Sequence, residues 1–373
     1  MSELPISKQP QVFEAIAHDT TSFASLFLSI REHPKAGLLS PALLPPASMY
    51  VVESHRAIKK LAPGVAAALL EEFVNRVRPS RHRAKLLGGA EKSVGQVAID
   101  LAEVAERQKR FFLEPHSGML GPLKRAIQPD LGFSTYDGHI FATTHATAFS
   151  FGHDHDLAER AFSIGEALGA YTATLLTMLG LQMPVPAPAS ALPGVIEMRD
   201  IKSPALYRRG PLGKTPTELA AGMTLLLASL NQMRYIMQKL LPVGGHTQFR
   251  LKFIVAYHAD SNLRAIQDRL ASDSLLPEDS ASIFREILGN PDSRWLRKRT
   301  DLRNLLAHYM VDERHVTALS PATDRTKMIE HFGGDLTYTE MDALLDRHIE
   351  RMSLTLENGF ALIGDPFWYG RVS

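Results

Sequence analysis

Apolar residues recur at three- and four-residue steps along most of this chain, the spacing that gathers them on one face of an α-helix. The cleanest run is near the C-terminus, where Met341, Leu345, Ile349, Met352, Leu356, Phe360 and Ile363 follow at steps of four, four, three, four, four and three. Thr337 or Thr339 can cap that helix, and Gly364 with Pro366 can stop it. Similar periodicity, rich in Ala, Leu and Glu, predicts helices over 11–32 and 55–77, with SPALLPPASM between them as a proline-punctuated loop. KSVGQVAIDLAEVAERQKRFFL reads as a third helix and GPLKRAIQPD as a short fourth. Helical periodicity returns in DLAERAFSIGEALGAYTATLLTMLGL, with Asp156 as its N-cap. TPTELAAGMTLLLASLNQMRYIMQKLL opens with Thr215 as cap, Pro216 in the first turn and Glu218 as the capping-box acid, and VGG ends it.

Two stretches depart from this period. The Thr, Phe and Ile content of HIFATTHATAFSFG and its glycine boundaries predict a strand or extended pair. Prolines at 184, 186, 188, 193, 204 and 211 predict an extended connector between two helical parts. The expected organisation is an N-terminal, mostly helical domain with a small β element (1–182), a proline-rich linker (183–213) and an antiparallel bundle of four or five helices (214–373).

Composition narrows the chemistry. The 373 residues hold 41 Lys+Arg against 40 Asp+Glu, a formal net charge of +1, so any nucleic-acid contact must come from a local patch. No cysteine is present, which removes disulfides, thiolate metal sites and a cysteine nucleophile, and fits a reducing compartment. MSELPISKQPQVFEA lacks a basic n-region followed by an apolar one, and ALGAYTATLLTMLGLQMPVPAP is too short and too broken by proline to span a bilayer. A soluble, cytoplasmic protein is expected.

The densest candidate chemistry lies in DSRWLRKRTDLRNLLAHYM. Leu302, Leu305, Leu306 and Tyr309 predict an amphipathic helix starting near Asp292. Asn304 and His308 are four apart and share a face, with Arg303 at its edge. An arginine fork beside a titratable imidazole can bind a phosphodiester and move its protons without a metal. Arg303, a polar Asn304 and then His308 form a pattern that resembles the HEPN superfamily (higher eukaryote and prokaryote nucleotide-binding). The helical context over about residues 214–364 is similar too: TQFRLKFIVAYHADSNLRAIQDRL, then ASIFREILGN, the motif helix, and the long final helix. The resemblance implies a helical bundle whose sites face each other across a homodimer axis, and a metal-independent endoribonuclease acting on single-stranded RNA, in a defence or toxin role, with 2′,3′-cyclic phosphate products and no cofactor. His308 would transfer protons, Arg303 would hold phosphate oxygens and Asn304 would orient the imidazole or a phosphate oxygen. Arg294, Arg297, Lys298 and Arg299 would extend a positive strip for the RNA backbone or stand as a solvated face. Should the chain act alone, His258, His348 and His315 are the first places to seek a second proton carrier. The alternative is a non-catalytic HEPN-like scaffold binding RNA, nucleotide or a protein.

Two further clusters stand out. His139, His145, His153 and His155, with Asp154 and Asp156, supply imidazole and carboxylate suited to Zn, Mn, Fe or Ni, yet GHDHD completes no metal signature, and a surface loop with capping aspartates is the reading that remains. Arg78, Arg81, His82, Arg83 and Lys85, with Arg208 and Arg209, read either as contacts for an acidic partner or as solvated surface. No phosphate loop, dinucleotide fingerprint or nucleophile elbow is visible.

Overall fold

The computed structural model of the protein describes residues 10–86, 96, 99–107, 128–151, 157–309 and 324–363. As the periodicity predicted, the fold is mainly α-helical with one small antiparallel sheet. Helix α1 (Pro10–Glu32) follows expectation, burying Phe13, Ile16, Phe23 and Ile30. Helix α2 (Ala36–Leu61) does not, because Pro41, Pro45 and Pro46 lie inside it rather than in a loop. An interior proline costs a helix about 3 kcal/mol. Here Leu39, Leu43, Leu44, Met49, Tyr50 and Val51 are all buried, so packing against α1 and α3 (Pro63–Leu86) offsets that cost. The helix expected over 55–77 is divided at Ala62, with Pro63 opening α3 at the position where its missing N–H costs nothing.

Of the third expected helix, 99–107 is helical; the remainder of it and most of GPLKRAIQPD lie outside the described residues. Strand β1 (Leu131–Tyr136) is central, flanked by β2 (His139–Thr143) and β3 (Ile196–Ile201). Asp137 and Gly138, with φ of 50° and 86°, make the two-residue turn that matches strand twist, so Tyr136 pairs with His139. The predicted extended pair in HIFATTHATAFSFG is half right, since Thr144–Phe151 turns into helix α4. Helix α5 (Leu157–Met178) follows. The proline-rich stretch contributes β3, paired along all of β1, and α6 (Ser203–Tyr207), whose Leu206 and Tyr207 are buried.

Helix α7 (Thr217–Asn231) lacks the expected capping box: Thr215 Oγ1 donates to Leu212 O at 2.7 Å instead. It runs on through a π-helical segment, Gln232–Met237, into a last α turn, Gln238–Leu240. Then come α8 (His246–Ser272), α9 (Glu278–Leu288), α10 (Pro291–Arg297), α11 (Thr300–His308), α12 (Arg325–Gly333) and α13 (Tyr338–Gly359). In α13 Thr337 and Glu340 form the anticipated capping box, and Met341 through Phe360 of the heptad-like face are buried. It stops at Gly359, leaving Ile363 exposed. One continuous apolar core runs from α1 to α13: α8 touches α1, α7, α11 and α13, and α2 touches α11. No helix among the described residues is long and apolar enough to cross a membrane.

Candidate functional site

The motif segment is two helices, not one. The chain leaves helical geometry at Lys298 and Arg299 between α10 and α11, so a single helix from Asp292 does not form. Asn290 caps α10 by accepting from Ser293 N at 3.0 Å. Helix α11 then ends at His308, and Tyr309 takes the left-handed conformation, φ 60°, unusual for an aromatic residue. Its surroundings hold it there. The Tyr309 hydroxyl donates to Asp19 of α1, and the Arg250 guanidinium of α8 lies 4.1 Å from the centre of its ring. Arg250, fully buried, pairs with Asp19 and donates from Nε to Leu306 O at 2.5 Å. Thr247 Oγ1 adds a bond to Asp19 at 2.6 Å. Helices α1 and α8 thereby fix the end of the motif helix.

The imidazole meets α2. His308 Nδ1 is 2.9 Å from Glu53 Oε2, and the Glu53 side chain is only 3% exposed. Arg81 of α3 reaches Glu53 Oε1 from Nε at 3.1 Å and from Nη2 at 2.9 Å, while Arg56 Nη1 is 2.9 Å from Oε2. Burial pushes the Glu53 carboxyl up, but the His308 hydrogen bond and the charges of Arg81, His308 and Arg56 outweigh it and hold it down at about 2. An ionised carboxylate only accepts, so the proton of this bond sits on His308 Nδ1. Nε2 is left as the ring nitrogen that Glu53 does not engage, and the side chain is 31% exposed.

Arg303 is half-buried, its guanidinium 5.6 Å from the centre of the Tyr257 ring. Its Nε is buried without a hydrogen-bond partner among the described residues. Asn304 is half-buried and makes no side-chain hydrogen bond among those residues. Next to Tyr257, His258 faces the same group: burial first, then the charges of Arg81, Arg303 and His308, lower its pKa to about 3, so it is neutral at physiological pH. The structure thus gathers Arg303 and His308 with Glu53, Arg81, Tyr257 and His258, drawn from α2, α3, α8 and α11. Arg81, read from sequence as surface, is buried. The one hint of Glu53 in the sequence is a lone carboxylate in the apolar run MYVVESHRAI.

The other candidates disperse. Arg294, Arg297 and Lys298 are exposed, whereas Arg299 folds back over Trp295, 5.5 Å from its ring centre, and presses on Gly334. Gly334 has φ 79°, the left-handed region that favours glycine, and a Cβ there would also push the tip of the Arg299 side chain aside. His139 Nδ1 contacts Glu357 at 2.9 Å, and His145 Nδ1 contacts Tyr207 at 2.8 Å; the two sit in separate networks. His153, Asp154, His155, Asp156 and His315 lie outside the described residues. Among the described residues no group of three or more His, Asp or Glu is placed to hold a metal ion. Arg78 pairs with Glu71 at 3.3 Å, Arg208 is exposed, and Arg209 Nε donates to Ala361 O at 3.0 Å. The side chains of His82, Arg83 and Lys85 are outside the described set. His348 is buried 3.4 Å from Asp260.

No family model, curated protein or solved structure matches the chain.

Depressed pKa values set an acid response, those of His258 and Glu53 foremost, with His33 and His246 also lowered by burial. His258 falls from 6.5 to about 3 and Glu53 from 4.5 to about 2 on folding, so for both the unfolded chain binds protons more readily. Stability contributed by His258 is complete above pH 6.5 and is lost as pH drops toward 3. That from Glu53 is lost between 4.5 and 2. Urea denaturation between pH 7.5 and 5 should therefore show stability declining with acid, by up to about 1.4 kcal/mol per pH unit from a single proton. His258→Gln should flatten that slope; an unchanged slope would show that His258 is protonated equally in both states.

Proposed function

We propose that the protein is a metal-independent endoribonuclease whose proton carrier is His308. The observation that carries the reading is the Glu53–His308 contact: a buried, ionised carboxylate holds Nδ1–H and so orients Nε2 as a base, with Arg303 on the same helix. Single-stranded RNA brings its own nucleophile. His308 Nε2 takes the 2′-hydroxyl proton, the 2′-oxygen forms a bond to phosphorus, and the bond from phosphorus to the 5′-oxygen breaks. Arg303 stabilises the crowded anionic phosphorus. The products are a 2′,3′-cyclic phosphate and a 5′-hydroxyl, which takes up one proton. His258 is unsuited to give that proton, because with a pKa near 3 it carries none at neutral pH. The resemblance to HEPN proteins points instead to His308 of a second copy across a two-fold axis. Arg294, Arg297 and Lys298, all exposed, extend the cationic surface along α10.

Incubating pure protein with labelled single-stranded RNA in EDTA should yield cleavage with cyclic-phosphate ends. A requirement for added divalent metal, or 3′-hydroxyl products, would refute this chemistry.

A second reading rests on a specific observation. Glu53 already has Arg81 and Arg56, so His308 also completes a polar clamp joining α2 to α11. On that reading the protein is a non-catalytic HEPN-like scaffold, and the same RNA is bound without being cut.

A further inference from the structure

Behind the Glu53 cluster a pocket of about 90 Å³ opens between α2, the π-helical segment and α8. Pro46, Met49, Met233, Met237 and Ile254 give it an apolar wall, and Arg81 and His258 supply polar groups at its lining. The Arg81 side chain is 8% exposed and spends Nε and Nη2 on Glu53, which leaves Nη1 without a hydrogen-bond partner among the described residues. Charge is unbalanced there. One carboxylate, Glu53, answers both Arg81 and Arg56, and Arg303 stands nearby with no carboxylate partner among the described residues. A largely buried guanidinium at the lining of a mostly apolar pocket is complementary to an anionic head on a hydrocarbon body. Pro46 and Met49 come from the proline-bearing part of α2, and Met233 and Met237 from the π-helical turn, a local irregularity that recurs at functional sites. Methionines on the wall can adapt to a ligand's shape.

We propose that this pocket binds a small organic anion: a carboxylate on Arg81, with an apolar chain of about four to six carbons between α2, the π-helical segment and α8. Scale limits what is enclosed: a closed apolar cavity of about 150 Å³ accommodates benzene, so this smaller pocket, which is not sealed, covers only part of such a chain and leaves its end at the open side. Neutral His258 adds one hydrogen-bond group without competing for the anion's charge. This inference does not depend on RNA cleavage.

Calorimetric titration of the full-length protein with hexanoate, hexanol and inorganic phosphate at pH 7.5 tests it. Hexanoate should bind with a dissociation constant below about 1 mM. Hexanol should bind roughly tenfold more weakly or worse, having lost the charge-assisted bond, and phosphate should not register. Val255 lines the pocket and is only partly buried, so Val255→Trp should fill the space and abolish hexanoate binding while the thermal melt stays cooperative. Should that variant fail to fold, Ser229→Trp on α7 fills the same space from the opposite wall. Absent hexanoate binding, binding unchanged in a folded pocket-filling variant, or equal affinity for hexanol or phosphate would each overturn the proposal.

Discussion

Asp19→Ala should cost the protein about 3–5 kcal/mol of stability, because it strands a fully buried guanidinium. Arg250 has no solvent to turn to: its side chain is 0% exposed, and its carboxylate partner is Asp19. The same substitution removes the acceptor of the Tyr309 and Thr247 hydroxyls. Tyr309 would then keep its left-handed backbone with one hydrogen-bond partner fewer, and such strain persists only while the surroundings over-determine it. Chemical denaturation of the variant measures the loss directly. A change under about 1 kcal/mol would mean that the pair, despite its burial, contributes nothing beyond what water or a neighbour can replace. Replacing Asp19 and Arg250 together by apolar residues should recover much of the deficit, since no unpaired charge is left behind.

The second large effect is kinetic. His308→Ala and His308→Gln should each lower RNA cleavage by about 10²–10⁴-fold, the usual share of positioned acid–base assistance. The glutamine variant decides between roles. Its amide can still donate to Glu53, so a histidine that only clamps α2 to α11 would be replaced with little loss. Glutamine cannot exchange a proton near neutral pH, so a histidine that works as a base would not be rescued. Stability should fall only modestly in both variants, as Glu53 retains Arg81 and Arg56. Wild-type cleavage by the glutamine variant would remove His308 from the chemistry.

How far the chain could be read depended on where each element buries its side chains. α1 and α13 expose one face, so their apolar residues keep the helical period and were legible; the Thr337–Glu340 capping box was too. α2 is covered by α1, α3 and α11, and its run of Leu39 to Val52 is apolar nearly all round. Period vanishes in such a helix, and three prolines then read as a loop. The split between α10 and α11 was hidden because Trp295, Leu302 and Leu306 keep a helical spacing across it. At the candidate site, Arg303 and His308 were visible as a local motif. Glu53 was not, since its contact with His308 spans 255 residues and no spacing rule reaches that far. Arg81 was noticed but misplaced: RPSRHRAKLL looks like surface, and only the buried carboxylate opposite explains why one of its arginines turns inward.

The Asp19 and Glu53 partnerships also bear on how the protein is made. A ribosome delivers Asp19 and Glu53 early, whereas Arg250, His308 and Tyr309 emerge two to three hundred residues later. At about 5–20 residues per second, the nascent N-terminal helices must wait on the order of tens of seconds for the groups that complete them. During that interval Asp19 lacks its buried partner, whereas Glu53 already has Arg56 and Arg81 from nearby in the chain, so it is α1 that would desolvate an uncompensated carboxylate on closing to its final depth. Full burial of α1 therefore depends on Arg250, which ties the first helix to a residue more than two hundred positions later.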